Sequence, residues 1–328
     1  MRRLPLAVIA WTPSARPHEL AAALGGAAHT VYFPRLTHRA VVPLRYAVSA
    51  VLTAGFLARR RPRAVLVQNP PIVPAAIAYI YSRLTGARLV LDSHPRGFGL
   101  KGSRAGRLFR PLHGVFMRHA AATMVASEPL ADEVRRAGGR PLVVHEPPPL
   151  WRIDAPPSED AAAPVVLWVG VFATDEPIAE VVEAARQLPD VRFVLTGEPD
   201  RCPDAVRAGA PANVTFSGYR RGDDYRALVA DATIMMVLTT APTSVPRGAF
   251  EAVAALRPLV LSDQPLLREQ FPEAVFAANA AGPLADAVQD ALARRPELAR
   301  TALAARERDG HRWARQRDAV LAALGVPA

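Results

Sequence analysis

Two sets of residues have types and spacings that could do chemistry. In the first, Asp92-Ser93-His94, a carboxylate stands two positions from an imidazole. Histidine titrates near neutrality and a neighbouring carboxylate fixes its tautomer, so Asp92 and His94 can act as a base or as an orienting pair. Asn69, in Gln68-Asn69-Pro70-Pro71, and Arg96, just past His94, offer an amide and a guanidinium on the same side. The second set lies in the later half. Gly170 and Thr174 flank a short turn, and Gly197-Glu198 form another. Small residues let a backbone approach a phosphate, and a following helix start offers free N–H groups. Arg220 and Arg247 can reach a diphosphate with a bidentate fork. Glu251, four residues into a helical pattern, can accept two ribose hydroxyls. Each feature also has a structural reading: a capped turn around a structural histidine, helix capping by Thr174 or Asp175, and a helix-dipole role for Glu251.

The elements that must position these groups alternate regularly. Short, nearly continuous apolar runs predict strands at 5–10, 29–33, 64–68, 88–92, 122–126 and 141–145. Amphipathic patterns between them predict helices near 17–24, 44–60, 73–85, 105–119 and 128–137. Residues 147–164 are proline-rich and aperiodic, the composition of a linker. The pattern then restarts, with strands near 165–169, 191–195, 213–217, 233–238, 258–262 and 274–277. Helices follow near 177–187, 222–230, 247–256, 283–293 and from 296 onward. Strands that are apolar on both faces, separated by helices, imply parallel sheets covered on both sides. The expectation is α/β: two Rossmann-like, doubly wound domains, 1–150 and 151–328, facing across a cleft, with the last helix packing back on the first. Ligands in such sheets bind outside the carboxyl ends of the strands, where both sets of residues fall.

Composition narrows the classes. Of 328 residues half are hydrophobic, and 40 basic against 30 acidic residues give a formal charge of +10. Residues 1–150 hold 21 of the basic and 6 of the acidic side chains, and between Arg2 and Arg118 the only acids are Glu19 and Asp92. A basic half implies either a solvated arginine-rich face or an anionic partner. The single cysteine, Cys202, excludes a disulfide framework and a cysteine-based zinc site. The first residues read as a strand and not as a signal peptide, and no run is apolar enough to span a bilayer. The expectation is therefore a cytoplasmic protein, soluble or peripheral on the membrane's cytoplasmic face. Helix-turn-helix, zinc-finger and RNA-binding aromatic motifs are absent, so nucleic acid is not an expected partner. GxGxxG and GxxxxGK[ST] are absent as well, against a dinucleotide dehydrogenase and a Walker-type NTPase.

Together these segments resemble the GT-B-fold glycosyltransferases of the family-4 type. VLVQNPPIVPAAIAYIYSRLTGARLVLDSHPRGFG is similar to the QNPP turn and Asp-x-His turn of the chitobiosyldiphosphodolichol β-mannosyltransferase family and its prokaryotic relatives. SARPHELAAALG, ATDEP, SGYRRGDDYRALVADATIMMVL and VPRGAFEAVAALRPLVLSD resemble further segments of the larger group. The resemblance implies a nucleotide-sugar donor, GDP- or UDP-linked, in the second domain. Glu251 then matches the ribose-binding acid, Gly170 and Thr174 the phosphate-side turn, and His94 a residue near the reacting sugars. It also implies a glycan or lipid-linked acceptor in the first domain and no essential metal or other cofactor. Two positions depart from the pattern: Thr243 where many relatives carry an acid, and Gly248 where many carry a lysine. The competing reading is a catalytically impaired subunit that binds another transferase.

Residues 44–60 leave a further question open. Leu44, Val48, Val51, Leu52 and Phe56 form one helical stripe bracketed by Arg45 and Arg59-Arg60-Arg61. The stripe either faces the domain core or lies in a membrane interface with its arginines on anionic lipid.

Overall fold

The computed structural model describes residues 3–12, 14–33, 41–100, 104–155 and 163–327. The chain divides into two compact units, one running to Pro147 and including Arg312 onward, the other Pro148–His311.

The first unit is built on a six-stranded parallel sheet. Its strands are β1 (Leu6–Ala10), β2 (Ala27–Thr30), β3 (Ala64–Asn69), β4 (Arg88–Ser93), β5 (Ala122–Val125) and β6 (Pro141–Val143), in the order β2-β1-β3-β4-β5-β6. β1, β3 and β5 are buried along their whole length, as expected for central strands covered on both faces. The helices between them are Arg16–Ala23, Val42–Arg60, Ile72–Thr85, Arg104–Leu108, Arg110–His119 and Glu128–Arg136. The helix expected over 105–119 is broken in two because Pro111, lacking an N–H, starts a new helix. Ile72–Thr85 stops at Gly86, whose φ of 74° closes the helix in the left-handed region. On one sheet face Leu6, Leu66 and Met124 pack with Val320, Leu321 and Leu324 from the end of the last helix, Arg295–Leu324.

The second unit repeats the plan with β7 (Val165–Trp168), β8 (Arg192–Thr196), β9 (Val214–Gly218), β10 (Ile234–Val237), β11 (Leu259–Ser262) and β12 (Val275–Ala277). Their order, β12-β11-β10-β7-β8-β9, is again wholly parallel. Strand order reverses between β1 and β3 in the first sheet and between β7 and β10 in the second. These switch points open crevices at the strands' carboxyl ends. Residues 148–155, read from composition as linker, pack on the second unit: Trp151 meets Tyr225 edge-on at 6.3 Å, and Arg257 donates to the Ala155 carbonyl. The remainder of that stretch, 156–162, lies outside the described residues.

Candidate active site

In the first unit the carboxyl ends of β1, β3 and β4 deliver their side chains to one place. Asp92 is 4% exposed and takes two hydrogen bonds from Arg16, Nε to Oδ2 at 2.9 Å and Nη2 to Oδ1 at 3.0 Å. Arg16 Nη1 also pairs with Glu146 at 2.9 Å, so one buried guanidinium serves two carboxylates. Arg16 holds the Asp92 carboxyl far below the usual carboxylate range, against the opposing effect of burial. His94 Nε2 lies 3.4 Å from Asp92 Oδ2 and 3.0 Å from the Gln68 amide, whose oxygen accepts from Thr12 at 2.6 Å. As oriented, Gln68 donates to a neutral imidazole. With the amide turned over it would accept from Nε2–H, so the same residue can accompany either ring tautomer.

This geometry separates the two expected roles. Asp92 is ionised, enclosed and engaged on both oxygens, so it is a poor proton acceptor and a good orienting group. His94, with about a third of its side chain exposed, is the group that can meet a ligand. Asn69 is buried, and neither its amide oxygen nor its nitrogen finds a partner among the described residues. A Cβ on Gly97 would stand 2.8 Å from that nitrogen, so the glycine lets the turn after β4 close over Asn69. Arg96 is exposed on the short 3-10 turn Pro95–Phe98. Below the turn, fully buried His113 meets Ser93 Oγ at 3.0 Å, and burial lowers its pKa to about 4.

In the second unit the turn after β7 is tightly packed. A Cβ on Gly170 would stand 2.1 Å from the Trp168 ring, so only glycine fits. The Gly170 N–H donates to Thr196 Oγ1, which ties the ends of β7 and β8 together. Gly197, at φ 103°, accepts Phe172 against its backbone. The N–H groups of Val171 and Ala173 do not point into open space. They donate to the Glu176 carboxylate at 3.0 and 2.9 Å, and burial raises that carboxyl above its usual range. Neither Thr174 nor Asp175 caps the following helix, which starts at Ile178 with Pro177 at its N-cap. Instead Thr239 Oγ1 donates to Asp175 at 3.1 Å, joining this turn to the end of β10. Glu198 and Arg220 are exposed, and Arg220 Nε donates to the Ser217 carbonyl.

Helix Arg247–Ala254 begins beside the β7–β10 switch point, with Gly248 against Val169 and Val237. A Cβ there would come within 2.9 Å of Val169, which is why a long side chain cannot replace this glycine without a shift. Glu251 is 8% exposed; its Oε2 accepts from Tyr225 at 2.5 Å and its Oε1 from Arg247 Nε at 2.9 Å. A carboxylate offers about four acceptor sites, so two remain after these bonds. Arg16, Gln68 and Glu176 lie in segments that stand out in the sequence but carry no assigned role there, and Thr12, Glu146 and Tyr225 were not singled out. Among the described residues no three His, Cys, Asp or Glu side chains group as a metal site.

Two Rossmann-type parallel sheets, each with polar groups gathered at its switch point, are the architecture of the GT-B fold. A glycosyl transferase 4-like domain model matches residues 1–149 and a glycosyl transferase-like model residues 177–322. The chain belongs to the glycosyltransferases of this 4-like type. No curated protein sequence matches it. Among solved structures it is similar to HepE from Anabaena, crystallised with UDP-glucose, at 14% identity over 98% of this chain and 100% of that one, with a TM-score of 0.73. Sucrose-phosphate synthase from Thermosynechococcus elongatus aligns at 19% identity over 94% of each chain, with a TM-score of 0.68. A putative UDP-N-acetylglucosamine 2-epimerase from Listeria monocytogenes shares the fold at 13% identity over 92% and 91%, with a TM-score of 0.59.

Proposed function

We propose that this transferase moves a hexose, of mannose or glucose type, from a GDP- or UDP-sugar in the second unit to a lipid-linked or other glycan acceptor at the first. The observation that carries the donor half is Glu251. It is buried, pre-positioned by Tyr225 and Arg247, and keeps two acceptor sites for a ribose diol. The solved neighbours that hold UDP and UDP-glucose support uridine as the first base to test. The local similarity to β-mannosyltransferases supports guanosine.

In the reaction the bond between the anomeric carbon and the diphosphate oxygen breaks, and the acceptor hydroxyl oxygen forms the new glycosidic bond. The hydroxyl proton passes to His94 if configuration inverts, and to the departing diphosphate if it is retained. In either case Asp92 positions His94, and Asn69 and Arg96 stand on the acceptor side. Charge developing on the diphosphate would be met by the guanidinium groups of Arg247 and Arg220, with no metal required. A thermal-shift series with UDP, GDP, TDP and ADP, run with and without EDTA, tests this reading. Stabilisation by one base over the others, unchanged by chelation, is expected; no response to any nucleotide would refute it.

The lipid-linked form of the acceptor is supported by helix Val42–Arg60. Most of its stripe does not face the core: Leu44 is 62%, Val51 72% and Leu52 48% exposed, while Ser49, Thr53 and Leu57 are buried and Phe56 packs against the core. Thr53 is satisfied there by the Trp11 indole at 2.9 Å. Leu84 at 81% and Leu108 at 73% exposure are further exposed leucines on other helices of the same unit. We read this surface as the side that lies on a membrane. Among the described residues no helix is long and apolar enough to cross one.

A further inference from the structure

We propose that Tyr225 and, behind it, Trp151 are positioning residues of the second unit. They fix the plane of the Glu251 carboxylate, and that plane decides whether the site tells a ribose from a 2′-deoxyribose. This selectivity rests on the ribose role of Glu251 given above. The terminal torsion of a glutamate is broad, so a carboxylate held at one point can turn to suit one hydroxyl as readily as two. Glu251 is held at two points. Arg247, one turn earlier on the same helix, donates from Nε to Oε1 at 2.9 Å. Tyr225, from helix Gly222–Asp231, donates its hydroxyl to Oε2 at 2.5 Å. Arg247 alone ties the carboxylate to its own helix; the second donor, arriving from another helix, sets the plane. Of about four acceptor sites, one on each oxygen then remains, the pattern that two neighbouring hydroxyls fill. A 2′-deoxy sugar fills only one of them and leaves an acceptor of a buried group unmatched.

Tyr225 is suited to a constant donor. Burial, and then the Glu251 charge, push its phenol well above the usual range, so the hydroxyl keeps its proton. Its ring is braced by the segment that precedes β7. Trp151 meets it edge-on at 6.3 Å and, with Ile153, packs on the cluster that holds Val229, Phe250 and Val253. Arg257, 2% exposed, fixes that brace. Its Nε and Nη2 donate to the carbonyls of Val229 and Ala230, in the last turn of the Tyr225 helix, and its Nη1 donates to the Ala155 carbonyl. One buried guanidinium thus joins the segment that carries Trp151 to the helix that carries Tyr225. A Trp151 that only filled space would be replaceable by another bulky apolar side chain. A Trp151 that sets where the phenol stands is replaceable only by another ring.

Calorimetry of the full chain with UDP, GDP and their 2′-deoxy forms tests the proposal. The readout is the ratio of the two affinities for one base, which a loss of folded protein or a general loosening of the site does not move. The wild type is expected to prefer the ribonucleotide by about 10–100-fold. Tyr225→Phe removes one oxygen and keeps the ring; it should bring the ratio to about threefold or less, with the 2′-deoxy form bound about as well as before. Trp151→Leu should lower the ratio by about threefold or more, and Trp151→Phe should keep it near the wild-type value. A Tyr225→Phe variant that weakens both forms alike, or that leaves the ratio intact, overturns the positioning role. So does a Trp151→Leu variant with the wild-type ratio, for Trp151. Glu251→Ala, titrated alongside, separates this proposal from the reading beneath it. Preference lost in Glu251→Ala but kept in Tyr225→Phe removes the positioning role and leaves the ribose role standing. Preference kept in Glu251→Ala, or no preference in the wild type, removes both.

Discussion

Asp92 has both carboxylate oxygens on Arg16, and Arg16 is held in turn by Glu146, so the imidazole of His94 is the freest polar group of that cluster. His94→Ala is therefore expected to lower kcat by about 10²–10⁴ with a smaller change in donor KM, as for loss of a positioned acid–base group. Asp92→Asn should keep the shape but turn a charge pair into a mismatched one against buried Arg16. It should lower both kcat and thermal stability, separating it from His94→Ala, which leaves the melting temperature near that of the wild type. Glu251→Ala should weaken nucleoside-diphosphate binding by about 10–100-fold in a calorimetric titration, since hydrogen bonds to a charged group are lost. Unchanged affinity would exclude the ribose role. His94 and Glu251 could be picked out in the sequence as candidates because each follows a strand or opens a helix at a switch-point edge. The contacts of Arg16 with Asp92 and of Tyr225 with Glu251 could not, because these pairs join positions 76 and 26 residues apart, and no local spacing encodes such a contact.

The twelve strands were readable as apolar runs, because burial on both faces leaves little room for polar residues in a parallel sheet. Less legible was which face of a helix the sheet would take. Helix Val42–Arg60 buries Ser49 and Thr53 beside Leu57 and turns Leu44, Val48, Val51 and Leu52 outward, reversing the ordinary inference for most of the apolar stripe. The turn after β7 misled differently. Small residues there suggested free N–H groups, but Glu176 folds back and takes them, a contact decided by loop conformation. What glycine does in that turn is steric. Gly170→Ala would drive a methyl into the buried Trp168 ring and should cost about 1–3 kcal/mol in urea denaturation, as overpacking commonly does. Gly282→Ala, in helix Ala281–Ala293 with nothing within 4 Å of the added carbon, is the matched control. It should be neutral or slightly stabilising.

At the scale of the whole molecule two properties follow from where charge is placed. The first is acid sensitivity. Burial lowers both His113 and His145 to about 4, whereas each titrates near 6.5 when the chain is unfolded. Between those values the unfolded chain binds more protons than the folded one, so stability falls as pH drops from about 6.5 toward 4, by about 2–3 kcal/mol for each histidine once both states are protonated. Denaturant midpoints at pH 7.5 and 5.0 should show the decline, and His113→Gln should remove about half of it.

The second property is orientation. The +10 net charge divides into a strongly basic first half and a mildly acidic second half, and the exposed apolar stripe lies on the basic half. Anionic lipid attracts arginines with about 1 kcal/mol per side chain near the surface, and apolar burial adds to it. The full chain should float with vesicles containing phosphatidylglycerol and stay behind with pure phosphatidylcholine. Raising salt to about 1 M, where the Debye length is about 3 Å, should release most of it. Val51→Asp, on the most exposed apolar position of the stripe, should abolish flotation at low salt, while nucleotide binding in the second unit stays unchanged. Binding that ignores lipid charge, or that survives Val51→Asp, would place the contact elsewhere on the molecule.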